Sequence, residues 1–489
     1  MHREDLEKMF SRIEPDDALK NRIIDRMEDN SMKKSTKRSL KGIMSVAACV
    51  AVIGISTAFA AGSVISYFQS DKAIDITSME ALAEYNEEVG VTVSNFGYTL
   101  TLDNIATDDN FMHVFYTLKK DDSSMTENDY YNLWFLCRIN GKLANFGNNN
   151  TENAYSTEDG SYKGVIKLNV ADMEVPDTFT LEMYSEPAIL KEESNFEGDY
   201  LYNDDTVLTD ADKEKLLYIS TIAKKTSVET KSVVKNVNKK FPFTYYDEVY
   251  DEDGNASPVE RQGEGEISKV VFSPFGSQLV VKDRCQGNAG MKISGSAIFD
   301  ENGQSLDVLN TDMSGGRVDV ESINKIEILK ADANTKALKI VPVMGSMTYN
   351  EEKTATQQIG TYPMTFKTSA YGSVVVTNIR FSDGAFEIDY YKDGFSLWDP
   401  NFHTMDKDGN IVEPGGKLGC LLTTTVHHDT NSYTAKYAYD GEYDQNGNKV
   451  PFDMSTISKE NLEKTFTHLG IGYYDFELDY DNAIDINLK

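Results

Sequence analysis

The sequence predicts a mainly β fold: tandem immunoglobulin-like β-sandwich domains outside the membrane, one transmembrane helix and a short N-terminal α-helical cytoplasmic segment. Three observations predict it. Residues 42–68 form an uncharged, predominantly apolar run behind a basic flank. Beyond residue 90, apolar and polar residues alternate in short segments, the period-2 signature of half-buried strands. Asx-Gly turns separate those segments, as in chains made of many short strands.

The first element is residues 1–32. Leu6, Met9, Phe10 and Ile13 recur at i, i+3, i+4 and i+7, one apolar stripe on a short helix. Pro15, Asp16 and Asp17 interrupt it and cap a second helix with Leu19, Ile23, Ile24 and Met27 on one face. Isolated helices this short are marginal. One reading has Leu6, Met9, Phe10, Ile13, Leu19, Ile23 and Met27 dock on a cytoplasmic partner. The other packs the helices on each other, or on the inner leaflet. Residues 33–41 are a basic flank, with Lys33, Lys34, Lys37, Arg38 and Lys41.

Residues 42–69 carry no charged side chain. At ~1.5 Å per residue the apolar part covers roughly 40 Å, against a hydrocarbon core of ~30 Å. The flanking lysines and arginine, set against Asp71, Asp75 and Glu80 on the far side, put the N-terminus in the cytoplasm and the large remainder outside, with the lipid bilayer as the partner of this helix. The rival is a cleaved signal peptide with Ala58-Phe59-Ala60 as its cleavage site. Both readings export everything beyond residue 70.

The exported part divides into a membrane-proximal β-rich domain at 70–242, an acidic linker at 243–261, an immunoglobulin-like β domain at 262–350 and a C-terminal β domain at 351–489. Thr77 to Glu80 spells a capping box, predicting a short helix that ends near Gly90. Residues 98–102 alternate as a strand, and 111–118 (FMHVFYTL) predict a central one. Short helices are expected at 209–217 and 458–467. A loose repeat runs through this part. Phe96-Gly97, Phe275-Gly276 and Tyr371-Gly372 open strands, and Asn140-Gly141, Asn302-Gly303 and Asp408-Gly409 follow as hairpin turns.

Composition excludes several chemistries. The 489 residues have a formal charge of −31, and the residues beyond 69 carry all of the excess. A polyanionic partner would be repelled, so no nucleic acid is expected. Cys49 lies in the apolar run, and Cys137, Cys285 and Cys420 show no CxxC or metal-type spacing. The six histidines, His2, His113, His403, His427, His428 and His468, form no HExxH or HxH pattern. Asp251, Asp300, Asp406 and Asp444 begin turns that echo part of an EF-hand loop. They lack its bidentate Glu, and Asx-Gly hairpin closure accounts for them. Trp134 and Trp398 sit in apolar patterns and read as core anchors ahead of sugar-stacking platforms. No catalytic motif, cofactor or metal site is expected.

The order of DDALKNRIIDRM at 16–27, the basic cluster, the apolar span ending in AFAA, and residues 77–118 resembles the Gram-positive single-pass, anti-sigma-like membrane proteins. In these an extracytoplasmic domain of unknown function is followed by immunoglobulin-like β domains, the latter resembled by residues 268–343. The resemblance implies a sigma factor as partner of residues 1–30, and an unidentified extracellular ligand or cell-wall component outside. It brings no catalytic residues. The His and CxxC pattern of zinc-type anti-sigma proteins is absent. The alternative is a membrane-anchored surface binding or adhesion protein.

Overall fold

A computed structural model describes residues 86–120, 135–146, 155–156, 160–185, 207–225, 232–250, 256–285, 287–314, 321–329, 331–344, 352–397, 399–412, 418–427, 430–443, 449–450 and 453–488. The expected cytoplasmic helices, basic flank, transmembrane run and capping box lie outside these residues. Among the described residues no helix is long and apolar enough to cross a membrane. The fold is mainly β, in three pairs of antiparallel sheets.

The first pair comprises β1 (Asn86–Asn95), β2 (Tyr98–Thr107), β3 (Phe111–Lys120), β4 (Phe135–Ile139), β5 (Lys142–Leu143), β6 (Asn145–Phe146), β7 (Tyr155–Ser156), β8 (Tyr162–Asn169), β9 (Thr178–Ser185) and β10 (Leu217–Lys224). One sheet runs β1-β2-β3-β8-β6, with β7 also on β8, and the other β10-β9-β4-β5. Leu100, Met112, Tyr116 and Ile166 from one meet Phe135, Leu181, Met183 and Ile219 from the other in a single core. β3 is central and its first eight residues are buried, because both its faces are covered. Residues 86–90, expected to end a helix, belong to β1. Val89, Val91 and Val93 pack on the core, and Gly90, at φ 64°, lies in a register shift against β2. Tertiary packing of the alternating valines overrides the local helix signal.

The second pair comprises β11 (Val233–Tyr250), β12 (Ala256–Ser273), β13 (Gly276–Asp283), β14 (Ser296–Asp300), β15 (Ser305–Leu306), β16 (Val308–Ser314), β17 (Ser322–Ile328) and β18 (Ala337–Met344). One sheet is β11-β12-β13-β17-β16 and the other begins β15-β14-β18. The third pair comprises β19 (Lys353–Gln358), β20 (Met364–Lys367), β21 (Gly372–Ser382), β22 (Ala385–Gly394), β23 (Asn401–Met405), β24 (Leu418–His427), β25 (Ser432–Tyr443), β26 (Lys449–Val450) and β27 (His468–Tyr473). Its sheets run β19-β27-β23 and β20-β21-β22-β25-β24, with β26 also on β25. Among the described residues, three α-helices lie between the strands: α1 (Asp210–Lys213), α2 (Asn288–Ser294) and α3 (Lys459–Thr465). The first and third fall within the helical stretches expected at 209–217 and 458–467.

Two further sequence expectations differ from the structure. Residues 243–261 are not a linker: apart from the undescribed tip, they are the outer half of the β11–β12 hairpin. Phe241 stands opposite Gly265 and Phe243 opposite Gly263. A Cβ on either glycine would come within 2.6 Å of the facing ring. Rings covering glycines hold the two strands together despite their acidic composition. The segment after Tyr473 leaves the third pair. β28 (Glu477–Leu478) and β29 (Ile484–Asn487) pair with β18 of the second. Ile484, Ile486 and Leu488 then complete the second core, satisfying a strand edge that would otherwise stay open.

Because Ile486 is 2% exposed in that core, Ile486→Ala is expected to destabilise the second sandwich by about 2–5 kcal/mol. Urea unfolding read by near-ultraviolet circular dichroism checks this.

Candidate functional site

The β2–β3 turn carries the sequence Asp108-Asp109-Asn110. Asp108 is fully buried. Its Oδ1 accepts from the backbone N–H of Asn110 at 2.7 Å and Phe111 at 2.8 Å, which closes the turn. Its Oδ2 accepts from the N–H of Phe275, in the second sandwich, at 2.7 Å. Asn110 is also fully buried. Its amide nitrogen faces Gly276 O at 2.7 Å, Ser273 Oγ at 3.0 Å and Val271 O at 3.1 Å. One hairpin turn of the first sandwich therefore seats on the β12–β13 turn of the second.

Charged groups surround this seat. Lys325 of β17, with no exposed side-chain surface, donates to Asp172 Oδ1 at 2.9 Å and Asn169 O at 3.3 Å. Lys167 of β8 pairs with Glu327 of β17 at 3.1 Å and lies 4.2 Å from the Phe111 ring centroid. Asn169 donates to Asp312 of β16 at 2.7 Å. Breaking one partner of such a buried pair typically costs about 3–5 kcal/mol, because the other charge is stranded. His113 of β3 meets Phe275 edge-on, with centroids 5.0 Å apart. Burial, aided by the Lys167 charge, holds its imidazole well below the usual histidine range, so it stays neutral.

Burial raises the Asp108 carboxyl to about 6, against the opposing pull of the N–H groups that it accepts from. Asp103, on β2, is also raised to about 6 by burial, offset partly by its bond from Thr117 Oγ1.

The second and third sandwiches meet differently. Ala297, Val341, Phe395 and Leu478 form a shared apolar cluster, with Leu397, Tyr371 and Phe476 packed on it. Tyr371 stacks on Phe476 at 5.6 Å, and its hydroxyl accepts from Leu478 N at 3.2 Å. Buried Tyr433 of β25 donates to Asp307 of the second sandwich, and burial raises its phenol far above the ordinary range. Beside this cluster, at one end of the third sandwich, lies a cavity of about 180 Å³. Val374 and Ile471 supply apolar lining, Leu397, Tyr473 and Phe476 aromatic and aliphatic walls, and Glu352, Asp399 and Asn401 polar groups. Among the described residues no cluster of three or more His, Cys, Asp or Glu could hold a metal ion.

Several sequence-singled residues can be placed. Asn140 and Gly141, at φ 50° and 81°, form the β4–β5 turn. Asp300 closes its turn by accepting from Asn302 and Gln304 N–H, and Asp406 does so from Asp408 and Asn410. The turns at 251–255 and 444–448 lie outside the described residues. His427 ends β24, an edge strand, and its Nε2 lies 2.9 Å from Thr434 Oγ1. Cys137 is buried, which pushes its thiol up to about 12, and Cys285 is half-buried. Leu6, Met9, Phe10, Ile13, Leu19, Ile23, Met27, Lys33, Lys34, Lys37, Arg38, Lys41, Trp134 and Trp398 all lie outside the described residues. Sequence reasoning missed Asp108, Asn110 and the cavity. An Asp-Asp-Asn turn looks like any surface turn, and the cavity draws on four loops distant in the chain.

Residues 34–120 match a family model described as "Domain of unknown function (DUF4179)". The match ends with β3, so it contains the Asp108–Asn110 turn. No curated protein matches. Among solved structures, a conserved domain protein from Bacillus anthracis is similar at 12% identity, over 56% of this chain and 83% of that one, with a TM-score of 0.27.

Asp108→Ala is expected to lower the stability of the first two sandwiches by about 3 kcal/mol or more, leaving three buried N–H groups unpaired at ~1–3 kcal/mol each; urea unfolding measures it. The pH response has a defined sign. Asp103 and Asp108 have folded values near 6, above ~4 for an unfolded Asp. The folded state therefore holds more protons between pH 4 and 6, and their contribution to stability rises as pH falls through 6 toward 4. Asp103→Asn is expected to raise the melting temperature at pH 7 and to flatten its rise between pH 7 and pH 5, as followed by differential scanning fluorimetry.

Proposed function

We propose that this chain is a single-pass membrane regulator, anti-sigma-like, in which exported β-sandwiches sense the envelope and a cytoplasmic helical segment binds a sigma factor. In this reading residues 42–69 span the bilayer, the N-terminus is cytoplasmic and the sandwiches, of immunoglobulin-like type, lie outside. The observation that carries it is the seat of the Asp108–Asn110 turn on Val271, Ser273, Phe275 and Gly276. The family-matched segment begins in the basic flank before the apolar run and ends in the strands that bear this turn. A conformational change in the second sandwich thus has a mechanical route to the strands that follow the span. Supporting it further are the two apolar stripes of residues 1–30, which suit a helix-in-groove partner.

A second reading, a membrane-anchored surface binding protein, is favoured by the cavity beside Leu397 and Phe476. The two readings part at the cytoplasmic end. Residues 1–41, used as bait in a lysate of the native host, are expected to recover a sigma factor. Leu6→Asp together with Ile23→Asp is expected to reduce that recovery at least tenfold. Failure to recover any sigma factor favours the surface binding reading.

A further inference from the structure

We propose that the cavity at the end of the third sandwich binds one neutral, polyhydroxylated ring: a single saccharide unit. The ring's apolar face would lie against aromatic walls and its hydroxyls against the rim.

Four observations combine. The first is size. About 180 Å³ exceeds the ~150 Å³ apolar cavity that admits a benzene ring, room for one six-membered sugar ring. The second is the lining. Val374 and Ile471 are buried apolar side chains, and Tyr473 and Phe476 are half-buried rings beside them. Rings with an apolar body suit the C–H face of a sugar. Phe476 is held from behind by Tyr371 and Phe395, with centroids at 5.6 and 5.5 Å, so its orientation is fixed before any ligand arrives.

The third is hydrogen-bonding chemistry. Asn401 donates to Glu352 Oε1 at 3.3 Å, placing an amide and a carboxylate side by side. Such a pair offers donors and acceptors together, which vicinal hydroxyls need. Gly472 permits this: a Cβ there would lie 2.0 Å from Glu352 Oε1. Deeper in, Thr368 is 5% exposed, and its hydroxyl has no hydrogen-bond partner among the described residues. A buried hydroxyl without a partner is unfavourable, and a ligand hydroxyl would satisfy it.

The fourth is charge. Asp399 is already paired with Lys392 Nζ at 2.9 Å, and Glu352 has His403 Nε2 at 3.9 Å. The Glu352 carboxylate, whose His403 contact is ionic only with a protonated imidazole, disfavours an anionic ligand, while its bond from Asn401 keeps it in the rim as a hydrogen-bond acceptor. A neutral hydroxylated ligand uses both rim groups. Leu397 and Phe476 belong both to the cavity and to the cluster joining the second and third sandwiches, so occupancy would also brace that junction. The proposal stands on this geometry whether or not the cytoplasmic segment binds a sigma factor.

The test is saturation-transfer NMR on the full chain in detergent micelles, with glucose, galactose, mannose and N-acetylglucosamine each titrated to 50 mM, and choline as the cationic probe. At least one sugar is expected to bind with a millimolar Kd, as befits a ligand of about a dozen heavy atoms, and choline is not. Glu352→Gln and Gly472→Ala are each expected to weaken that sugar at least fivefold while the melting temperature of Glu352→Gln stays unchanged. Thr368→Val, isosteric but without the hydroxyl, is expected to weaken it as well. No binding by any of the four sugars, preferential binding of choline, or sugar binding that Glu352→Gln and Gly472→Ala leave intact would each overturn the proposal.

Discussion

A carboxylate and an amide on one tight turn hold two sandwiches in register. Asp108 accepts from its own turn with one oxygen and from Phe275 of the neighbouring sandwich with the other. The turn cannot keep its shape and lose its neighbour without stranding buried N–H groups, which are expensive to leave unpaired. Inter-domain contacts within a chain are by default mobile. Here the fully buried Lys325 and the Lys167–Glu327 pair surround the turn. Such pairs contribute less to net stability than to fixing one arrangement over others. The first and second sandwiches therefore have one favoured seating, whose loss is steep.

The junction of the second and third sandwiches depends on different physics. Two strands, β28 and β29, pass from the third back to the second and complete its sheet. Aromatic and aliphatic side chains fill the seam, and Tyr433 adds one hydrogen bond to Asp307. The cavity opens beside this seam and shares Leu397 and Phe476 with it. A ligand there would touch the side chains that position the second sandwich, which in turn seats the Asp108–Asn110 turn. Under the proposed sensing role, ligand binding would act on the second sandwich through this seam.

Legibility in the sequence followed the range of the interactions. Local devices were readable. Asn140-Gly141 and Asp406 to Asn410 close hairpins as their residue types dictate, and FMHVFYTL lies in a central buried strand. Long-range devices were not. Residues 243–250 and 256–261 are strand because Phe243 covers Gly263 across the hairpin, a pairing that no local pattern announces. Residues 86–90 follow an apparent helix start, yet Val89 is drawn into a core built from residues far along the chain. The return of β29 to β18 depends on an open sheet edge that exists only once the second sandwich has formed. The cavity joins residues 352, 368, 401 and 472, which share nothing in sequence but their destination.

The central claim is that the first two sandwiches behave as one body because buried polar groups lock their seam. Differential scanning calorimetry of the intact chain at pH 7 tests it directly. The account expects these two sandwiches to unfold in one cooperative transition, with matching calorimetric and van't Hoff enthalpies. Two separate transitions for them in the unaltered chain would contradict it.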